Sequence, residues 1–190
     1  MPEADIQVVV PGSIAARAQP TIAAGELLLR PWRVDDVGVI VEAFRDEAIR
    51  RWHLATIDET EAAAWLAERA GRWQREWGAD WAVERGGVVV ARVGLRRLDL
   101  ALGAGEAAYW TLPAARGSGV APRALRAMSD WLFTEAGMHR VELEHSTANA
   151  ASCRVALKAG FCAEGTRRRS LLHADGWHDM HLHARLATDA

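Results

Sequence analysis

The stretch Gly105–Ala121, GEAAYWTLPAARGSGVA, most constrains the fold of this 190-residue chain, because its character changes twice. The apolar and aromatic run Glu106–Leu112 lies between a glycine and Pro113, which is typical of a strand. The residues that follow are small and turn-forming. From Gly119 onward, apolar residues recur at helical spacing, which predicts an amphipathic helix of about four turns. The chain therefore contains a strand–turn–helix unit.

The start of this helix predicts an anion site. Backbone amides without partners and the positive end of the helix dipole meet there, and Arg116 adds a full charge. Pro122 is compatible with a first helical turn because the amide that it lacks is one that the helix would not use. The amides expected in the concavity belong to Gly117, Ser118, Gly119, Val120 and Ala121. The expected anion is a phosphate.

Two common phosphate-binding motifs do not match this turn. A Walker A loop requires a lysine and then a serine or threonine after its second glycine, and no lysine stands there. A dinucleotide-binding fingerprint requires a third glycine three residues after the second, where this chain has Pro122. The ligand that carries the phosphate has to be inferred from the rest of the chain.

Composition indicates a globular protein with one domain and a sizeable core. Half of the residues are hydrophobic, 25% are charged, and the net charge is −2, so the whole chain carries no electrostatic signature of nucleic-acid binding. Two cysteines, Cys153 and Cys162, cannot form a disulfide framework, and no apolar run is long enough to span a membrane. We expect a cytoplasmic protein.

Residues 1–24 are predicted to be an N-terminal extension, and residues 25–190 the domain. Within the extension, Ile6–Val10 could add an edge strand, but Pro11, Gly12 and Pro20 interrupt it and the small residues indicate little burial.

Hydrophobic periodicity predicts the order strand, two helices, three antiparallel strands, helix, strand, helix, two strands. The predicted elements are a strand at 26–32, a helix capped by Asp35 and Asp36, a helical turn and loop at 47–57, a helix at 58–77 with a capping box from Asp58 to Glu61, strands at 80–85, 88–98 and 106–112, a helix from 119 to about 136, a strand at 140–146, a helix at 149–159, and strands at 161–172 and 177–186.

Five short motifs in this order resemble the GNAT acyltransferase superfamily, in the branch of the ribosomal-protein N-terminal acetyltransferases. They are Leu29-Arg30-Pro31 before Asp35-Asp36, Glu106 three residues before Tyr109-Trp110, Arg116-x-x-Gly119-x-Ala121, Asn149-x-x-Ser152 followed by Lys158, Gly160-Phe161 and Glu164-Gly165, and Gly176-Trp177-x-Asp179. The resemblance covers residues 26–187, with Pro122-Arg123 in place of the usual Thr-Glu. It implies a single mixed α+β or α/β domain, in which a mostly antiparallel twisted sheet is splayed in the middle and has helices on both faces.

The resemblance implies an acetyl-CoA-dependent N-acetyltransferase. Its acceptor would be a primary amine, at a protein or peptide N-terminus or on a small molecule. The amine would attack acetyl-CoA directly in a ternary complex, and no metal is expected. The loop before the helix would hold the pyrophosphate. The backbone of Trp110, Thr111 and Leu112 would pair with pantetheine. Ser152 would lie near its sulfur, and Asn149 would contact pantetheine and could also cap the helix. Acyl-CoA and the amine are then the expected partners, and a homodimer is left open.

Candidate catalytic groups follow from the chemistry. The amine must lose a proton, and Glu106 at the floor of an apolar cleft, with a raised pKa, could accept it. The alternatives are that Glu106 is a surface residue paired with an arginine, that His145 is the base, or that water accepts the proton. Because no tyrosine follows Asn149, Ser152 is the candidate donor to the leaving thiolate, although a serine in a first helical turn often only caps the helix.

The acceptor pocket is expected between the segment 50–59, with Trp52 and His53, and the turn at residues 174–176, with Glu106 and His145 also near the acceptor. His173, His178, His181 and His183 are interpreted as structural, with Asp179 as their hydrogen-bond partner. Only His181 and His183 share a strand face, and two histidines without a carboxylate or thiolate at ligand spacing make a poor zinc site. Arg167, Arg168 and Arg169 are interpreted as a solvated strand edge.

Two other functions fit the same residues. One is an acyl-CoA-binding module without catalysis, against which Glu106 and Ser152 argue. The other is an acyltransferase with a different donor, such as an aminoacyl-tRNA, for which a patch of arginines would be the signature.

Overall fold

The computed structural model describes residues 7–53 and 55–189, which form an eight-stranded sheet with helices packed on it. The strands are β1 (Ile22–Ala24), β2 (Leu27–Pro31), β3 (Ala79–Arg85), β4 (Val88–Asp99), β5 (Ala104–Thr111), β6 (Arg140–Ser146), β7 (Cys162–His173) and β8 (Gly176–Leu186). The helices are α1 (Val37–Arg45), α2 (Glu47–His53), α3 (Glu59–Gln74), α4 (Val120–Thr134) and α5 (Ala150–Lys158).

The sheet is splayed at its centre. Its strand order is β1-β2-β3-β4-β5-β6-β8-β7, and its pairs are antiparallel except for β5 and β6. Those two parallel strands pair only where Ala104, Gly105 and Glu106 face residues 140–142. Beyond that point β5 continues to Thr111 and β6 to Ser146 without pairing, so a gap opens between them. The predicted fold class, including the splay, is confirmed.

Strand alternation divides the core into two layers, because successive side chains of a strand point to opposite faces. On one face, Leu125 and Met128 of α4 pack with Leu95 and Ala107 of the sheet. On the other, α1 and α3 bury apolar side chains against Trp110. The gap in the sheet therefore lies between two packed layers.

The predicted extension is more firmly packed than its small residues indicate. Val9 and Ile14 are buried at 3% exposure each. The carboxylate of Glu76 accepts hydrogen bonds from the backbone amides of residues 12, 14 and 15, at 2.7–3.0 Å. The small residues between Pro11 and Pro20 are exposed or half-buried, as expected, but two apolar side chains and the bonds to Glu76 attach the segment to the domain. Strand β1 lies inside the predicted extension and pairs with β2, whereas residues 7–10 form no strand; Ile6 lies outside the described residues.

One of the predicted helix caps forms and one does not. Asp58 and Glu61 make the expected capping box at the start of α3. Asp36 precedes α1, but its side chain does not cap that helix. Its two carboxylate oxygens instead each lie 2.8 Å from the buried guanidinium of Arg30, which lowers the pKa of Asp36 against the opposing effect of burial. A bidentate ion pair has displaced the cap.

Among residues 7–53 and 55–189, no helix combines the length and apolar character that crossing a membrane would require.

Candidate active site

A cavity of about 470 Å³ fills the gap between β5 and β6. One end is the loop before α4, with Gly117 and Gly119, and the other is the β7–β8 hairpin, with Leu171 and His173. The N-terminal part of α5 forms one wall and α2 another. The cavity therefore connects the predicted anion site with the predicted acceptor pocket.

The loop before α4 has the conformation that an amide cradle requires. Gly117 and Gly119 adopt φ angles of 77° and 76°, a region that side chains other than glycine rarely enter. Within the described residues, the amides of residues 117–121 donate to no other group. All of these residues except Ser118 line the cavity; the hydroxyl of Ser118 donates to the carbonyl of Ala115.

Three arginines lie near this loop, and two of them, Arg116 and Arg123, are paired with carboxylates, whereas Arg85 donates to the hydroxyl of Ser118 at 3.0 Å. Nη2 of Arg116 lies 2.6 Å from Oδ1 of Asp46, and its Nε donates to the carbonyl of Thr111 at 3.1 Å. The hydrogen bond from Arg116 is the largest influence on Asp46 and lowers the pKa of that carboxyl. Arg123 donates to the carbonyl of Gly119 and pairs with Glu26 at 2.9 Å. Arg116 lines the cavity, but Asp46 compensates its charge.

The backbone groups that face the gap differ from those expected. The carbonyls of Tyr109 and Thr111 accept hydrogen bonds from His53 and Arg116, whose side chains line the cavity. The amide of Leu112 donates to the carbonyl of Val90 in β4, and alternation turns the backbone of Trp110 toward β4 as well. Of the three expected positions, Thr111 presents its backbone to the gap. Leu112 lies outside the cavity lining, and Tyr109 takes the place expected for Trp110.

Ser152 lies at the cavity wall with a partner that sequence reasoning missed. Its Oγ accepts a hydrogen bond of 2.9 Å from the hydroxyl of Tyr109, and burial raises the pKa of Tyr109 to about 12. Asn149 caps α5 by accepting from the amide of Ser152 at 3.1 Å. The cap is therefore Asn149, and the hydroxyl of Ser152 is left to bond elsewhere. A tyrosine is present after all, supplied by β5 rather than by α5.

Glu106 is paired with an arginine, as the alternative interpretation of this residue predicts. Its carboxylate pairs with Arg96, and it is not among the residues that line the cavity. Glu144 on β6 does line the cavity, and its carboxylate lies 4.0 Å from the same Arg96 and 3.4 Å from Arg167. Arg167, Arg168 and Arg169 are exposed on the outermost strand, as expected.

Helix α2 and the β7–β8 hairpin together close the end of the cavity where the acceptor pocket is predicted. Trp52 contacts His173 and His178 edge-on, with ring centroids 5.6 and 6.3 Å apart. Arg51 pairs with Asp175 at 3.0 Å. His53 is positioned by its bond to Tyr109, and burial, together with the charge of Arg92, lowers its pKa to about 4. The predicted segments 50–59 and 174–176 thus meet, although they are far apart in sequence. Within the first segment, Leu54 lies outside the described residues.

A chain of three side chains at this end was not predicted. The Oγ of Ser146 lies 2.6 Å from Nδ1 of His178, whose Nε2 lies 2.8 Å from Oδ1 of Asp175. Ser146 is buried and lines the cavity. No spacing in the sequence indicates the chain, because it depends on the packing of β6 against the β7–β8 hairpin.

The other histidines are arranged differently from the prediction. Asp179 accepts from the amide of Arg169, not from a histidine. His145, His181 and His183 gather on one side of β6 and β8, and Cys153 of α5 joins them. The expectation that no thiolate lies near these histidines is wrong, because α5 folds back over the strands.

Comparison with known proteins agrees with this arrangement. The family model described as "Acetyltransferase (GNAT) domain" matches residues 26–162. The uncharacterized N-acetyltransferase YoaA of Bacillus subtilis (strain 168) is 25% identical over 169 residues, or 87% of this chain and 96% of the relative.

Solved structures share the fold at lower identity. RimL, a ribosomal L7/L12 alpha-N-protein acetyltransferase in complex with coenzyme A, has a TM-score of 0.82 at 16% identity over 88% of this chain and 98% of that one. RimJ of Mycobacterium smegmatis, in complex with CoA-disulfide, has a TM-score of 0.80 at 24% identity, over 90% and 87%.

A splayed sheet with an amide cradle at its gap defines an acyltransferase-type site, and the family match assigns the class. The chain belongs to the GNAT acetyltransferase family, which confirms the resemblance found in its motifs.

Proposed function

We propose that this protein uses acetyl-CoA to acetylate a primary amine by direct attack in a ternary complex. The observation that supports this most strongly is the gap between β5 and β6, which joins unpartnered amides at one end to an aromatic, histidine-rich pocket at the other. The RimL and RimJ structures that share the fold contain coenzyme A or its disulfide, which agrees with the proposal.

The pyrophosphate of the cofactor would lie against the amides of residues 117 and 119–121, because that cradle carries the positive end of the α4 dipole. Pantetheine would then extend along β5 as an added strand, and its amides would pair with the edge at Tyr109 and Thr111. Because the carbonyls of both residues are occupied by side-chain donors, their amides are the groups to which pantetheine carbonyls would bind.

The leaving thiolate would be received by Ser152. As the amine nitrogen bonds to the thioester carbon and the C–S bond breaks, the sulfur takes up the electron pair. The hydroxyl of Ser152 already accepts from Tyr109, so its own proton is available to the sulfur. Tyr109 strengthens this donor by polarising it, since linked hydrogen bonds are cooperative.

The proton of the attacking amine would pass to Ser146 while the Ser146 proton moves to Nδ1 of His178. Asp175 would stabilise the resulting imidazolium through Nε2. This route is favoured over Glu106 because Ser146 lines the cavity, whereas Glu106 does not and is paired with Arg96. Glu106 as base is the alternative that variants can test.

The acceptor would enter beside Trp52 and His173 in its ammonium form, attracted by the carboxylate of Glu144, and would release one proton to solvent before the neutral amine attacks. A peptide N-terminus and a small-molecule amine both fit this description.

We propose the cytoplasm as the location, since both cysteines are unpaired and free thiols persist in reducing compartments.

Mass spectrometry of products tests the proposal. The protein would be incubated with acetyl-CoA and a panel of free amines and peptides, including pairs that differ only in a blocked N-terminus. We expect a mass increase of one acetyl group on unblocked members and none on their blocked partners. Acetyl-CoA binding without acetylation of any amine would favour the non-catalytic binding module, and transfer only from an aminoacyl-tRNA would favour the other donor.

A further inference from the structure

Four side chains with metal-binding atoms converge beside α5. His145 comes from β6, His181 and His183 come from β8, and Cys153 comes from α5. One nitrogen or sulfur atom from each lies within 4.8 Å of the corresponding atoms of the other three. His145 pairs in register with His181, and His183 lies two residues further along the same face. The sheet therefore sets three imidazoles side by side under a thiol.

The hydrogen bonds of the cluster leave a lone pair directed into it. Nδ1 of His145 lies 2.8 Å from the carbonyl oxygen of Ser146, so Nδ1 carries the proton and Nε2 the lone pair. That Nε2 lies 3.1 Å from Nε2 of His183. A histidine that donates its other ring N–H to a carbonyl is the usual arrangement at protein metal sites.

His183 is the most deeply buried member of the cluster. The residue is 1% exposed, and its Nε2, which faces His145, is the ring nitrogen that it would offer to an ion.

The donor set matches zinc. Three imidazoles and one thiolate are borderline-soft ligands, and zinc accepts such sets in tetrahedral geometry. With Zn–N of about 2.0–2.1 Å and Zn–S of about 2.3 Å, neighbouring ligand atoms lie about 3.3–3.7 Å apart. The Nε2–Nε2 separation of His145 and His183, 3.1 Å, is close to this range. The four ligand atoms lie up to 4.8 Å apart, so the widest pair would have to approach by about 1 Å. The side chains of Cys153 and His181 are only half-buried and allow this movement.

We propose that His145, Cys153, His181 and His183 bind one Zn²⁺ ion. With four protein ligands the coordination is closed, which is the arrangement of structural rather than catalytic zinc. The ion would fix α5, and with it Asn149 and Ser152, against β6 and β8. His145 would then be a ligand and unavailable as a base.

The test uses full-length protein without a histidine tag, stripped with a chelator and dialysed. Zn²⁺ would be titrated in competition with a chromophoric chelator, and Co²⁺ in parallel by absorption spectroscopy. We expect one equivalent of Zn²⁺ to bind, and Co²⁺ to give a thiolate charge-transfer band together with the d–d bands of tetrahedral cobalt.

Matched variants assign the ligands. Cys153→Ala should abolish the charge-transfer band, and both Cys153→Ala and His181→Ala should weaken Zn²⁺ binding by at least about tenfold, since even loss of an outer-shell partner costs that much. Cys162→Ala and His139→Ala are the controls, because both residues are exposed and lie outside the cluster. Circular dichroism of each metal-free variant would confirm folding.

Three results would overturn the proposal. The first is that wild-type protein binds no Zn²⁺, and the second is that Cys153→Ala and His181→Ala bind it as tightly as the two controls. The third is a Co²⁺ spectrum of octahedral type without a thiolate band. Because metal content and spectra are read without any acetyl acceptor, failure of this proposal is distinguishable from failure of the proposed acetyltransferase function.

Discussion

The hydroxyl oxygen of Tyr109 lies 2.9 Å from Oγ of Ser152 and donates a hydrogen bond to it. The bond joins β5 to α5 across the cavity, and both partners line its wall. Tyr109 is the single tyrosine of the chain. A strand thus supplies the phenol that the sequence of α5 lacks.

If Ser152 donates to the leaving thiolate, Ser152→Ala should lower kcat by about ten- to a hundredfold, because a hydrogen bond to a charged group contributes about 1.5–3 kcal/mol. Tyr109→Phe keeps the ring and should have a smaller effect of the same kind. The double variant should be no worse than Ser152→Ala alone, since the two hydroxyls act in one chain. Steady-state kinetics with calorimetric CoA affinities measure this. Unchanged kcat in Ser152→Ala with intact binding would make Ser152 structural.

The base can be identified by comparing two glutamine variants. His178→Gln should lower kcat by about 10²–10⁴-fold, because general base catalysis contributes that much. Glu106→Gln should cost less than about tenfold, since it removes only the ion pair with Arg96. A loss of about 10²-fold or more in Glu106→Gln, with kcat of His178→Gln within about tenfold of wild type, would restore Glu106 as the base.

Stability should fall in mildly acidic solution because the half-buried His53 is held in its neutral form. Its pKa is lowered to about 4 from 6.5, so between these values the unfolded chain binds a proton that the folded one does not. The free energy of unfolding should therefore decrease as pH falls from about 6.5 to about 4, by at most about 3 kcal/mol from this residue.

Urea denaturation at several pH values measures this effect. His53→Gln should reduce the pH dependence in that window but not abolish it, because the pKa values of His145 and His183 are also lowered from 6.5 by burial. The exposed control His139→Gln should leave it unchanged. The carboxyls Asp36 and Asp46, whose pKa values are lowered from 3.8, lose their contribution only below about pH 3.8. An unchanged slope in His53→Gln would show that His53 does not cause it.

Glu76 tests whether residues 7–20 belong to the folded domain. Because its carboxylate accepts three backbone amides from that segment, Glu76→Gln should lower the free energy of unfolding by about 1–3 kcal/mol. Glu42→Gln, at an exposed position on α1, is the control. Equal stability of the two variants would favour the predicted boundary at residue 24; a selective loss would move the domain boundary toward the N-terminus.

Much of the fold could be predicted because its signals are local. Hydrophobic period and caps placed α3, and the Gly-Gly turn placed the β3–β4 hairpin, with end points within a few residues of those observed. The Arg116-x-x-Gly119-x-Ala121 motif located the amide cradle because its glycines report the backbone conformation directly.

The chemical contacts of the site could not be predicted in the same way. Tyr109 and Ser152 are 43 residues apart, and Ser146 and His178 are 32 apart; both contacts depend on how β5, α5 and the β7–β8 hairpin pack around the gap. The Cys153 thiol reaches the histidines for the same reason. Arg116 was expected to serve a phosphate, and only tertiary structure reveals that Asp46 pairs with it.

The most direct measurement for the central claim is isothermal titration calorimetry of acetyl-CoA with two variants of the amide cradle. At Gly119 a Cβ would meet Arg123 at 3.9 Å and no closer atom, so a side chain fits. Aspartate and asparagine both tolerate the positive φ and both cap helices, and they differ only in charge.

We predict that Gly119→Asn retains measurable acetyl-CoA binding and that Gly119→Asp binds at least about tenfold more weakly, a difference of about 1.4 kcal/mol from repulsion of the pyrophosphate. Equal dissociation constants for these two folded variants would place the pyrophosphate elsewhere and contradict the account.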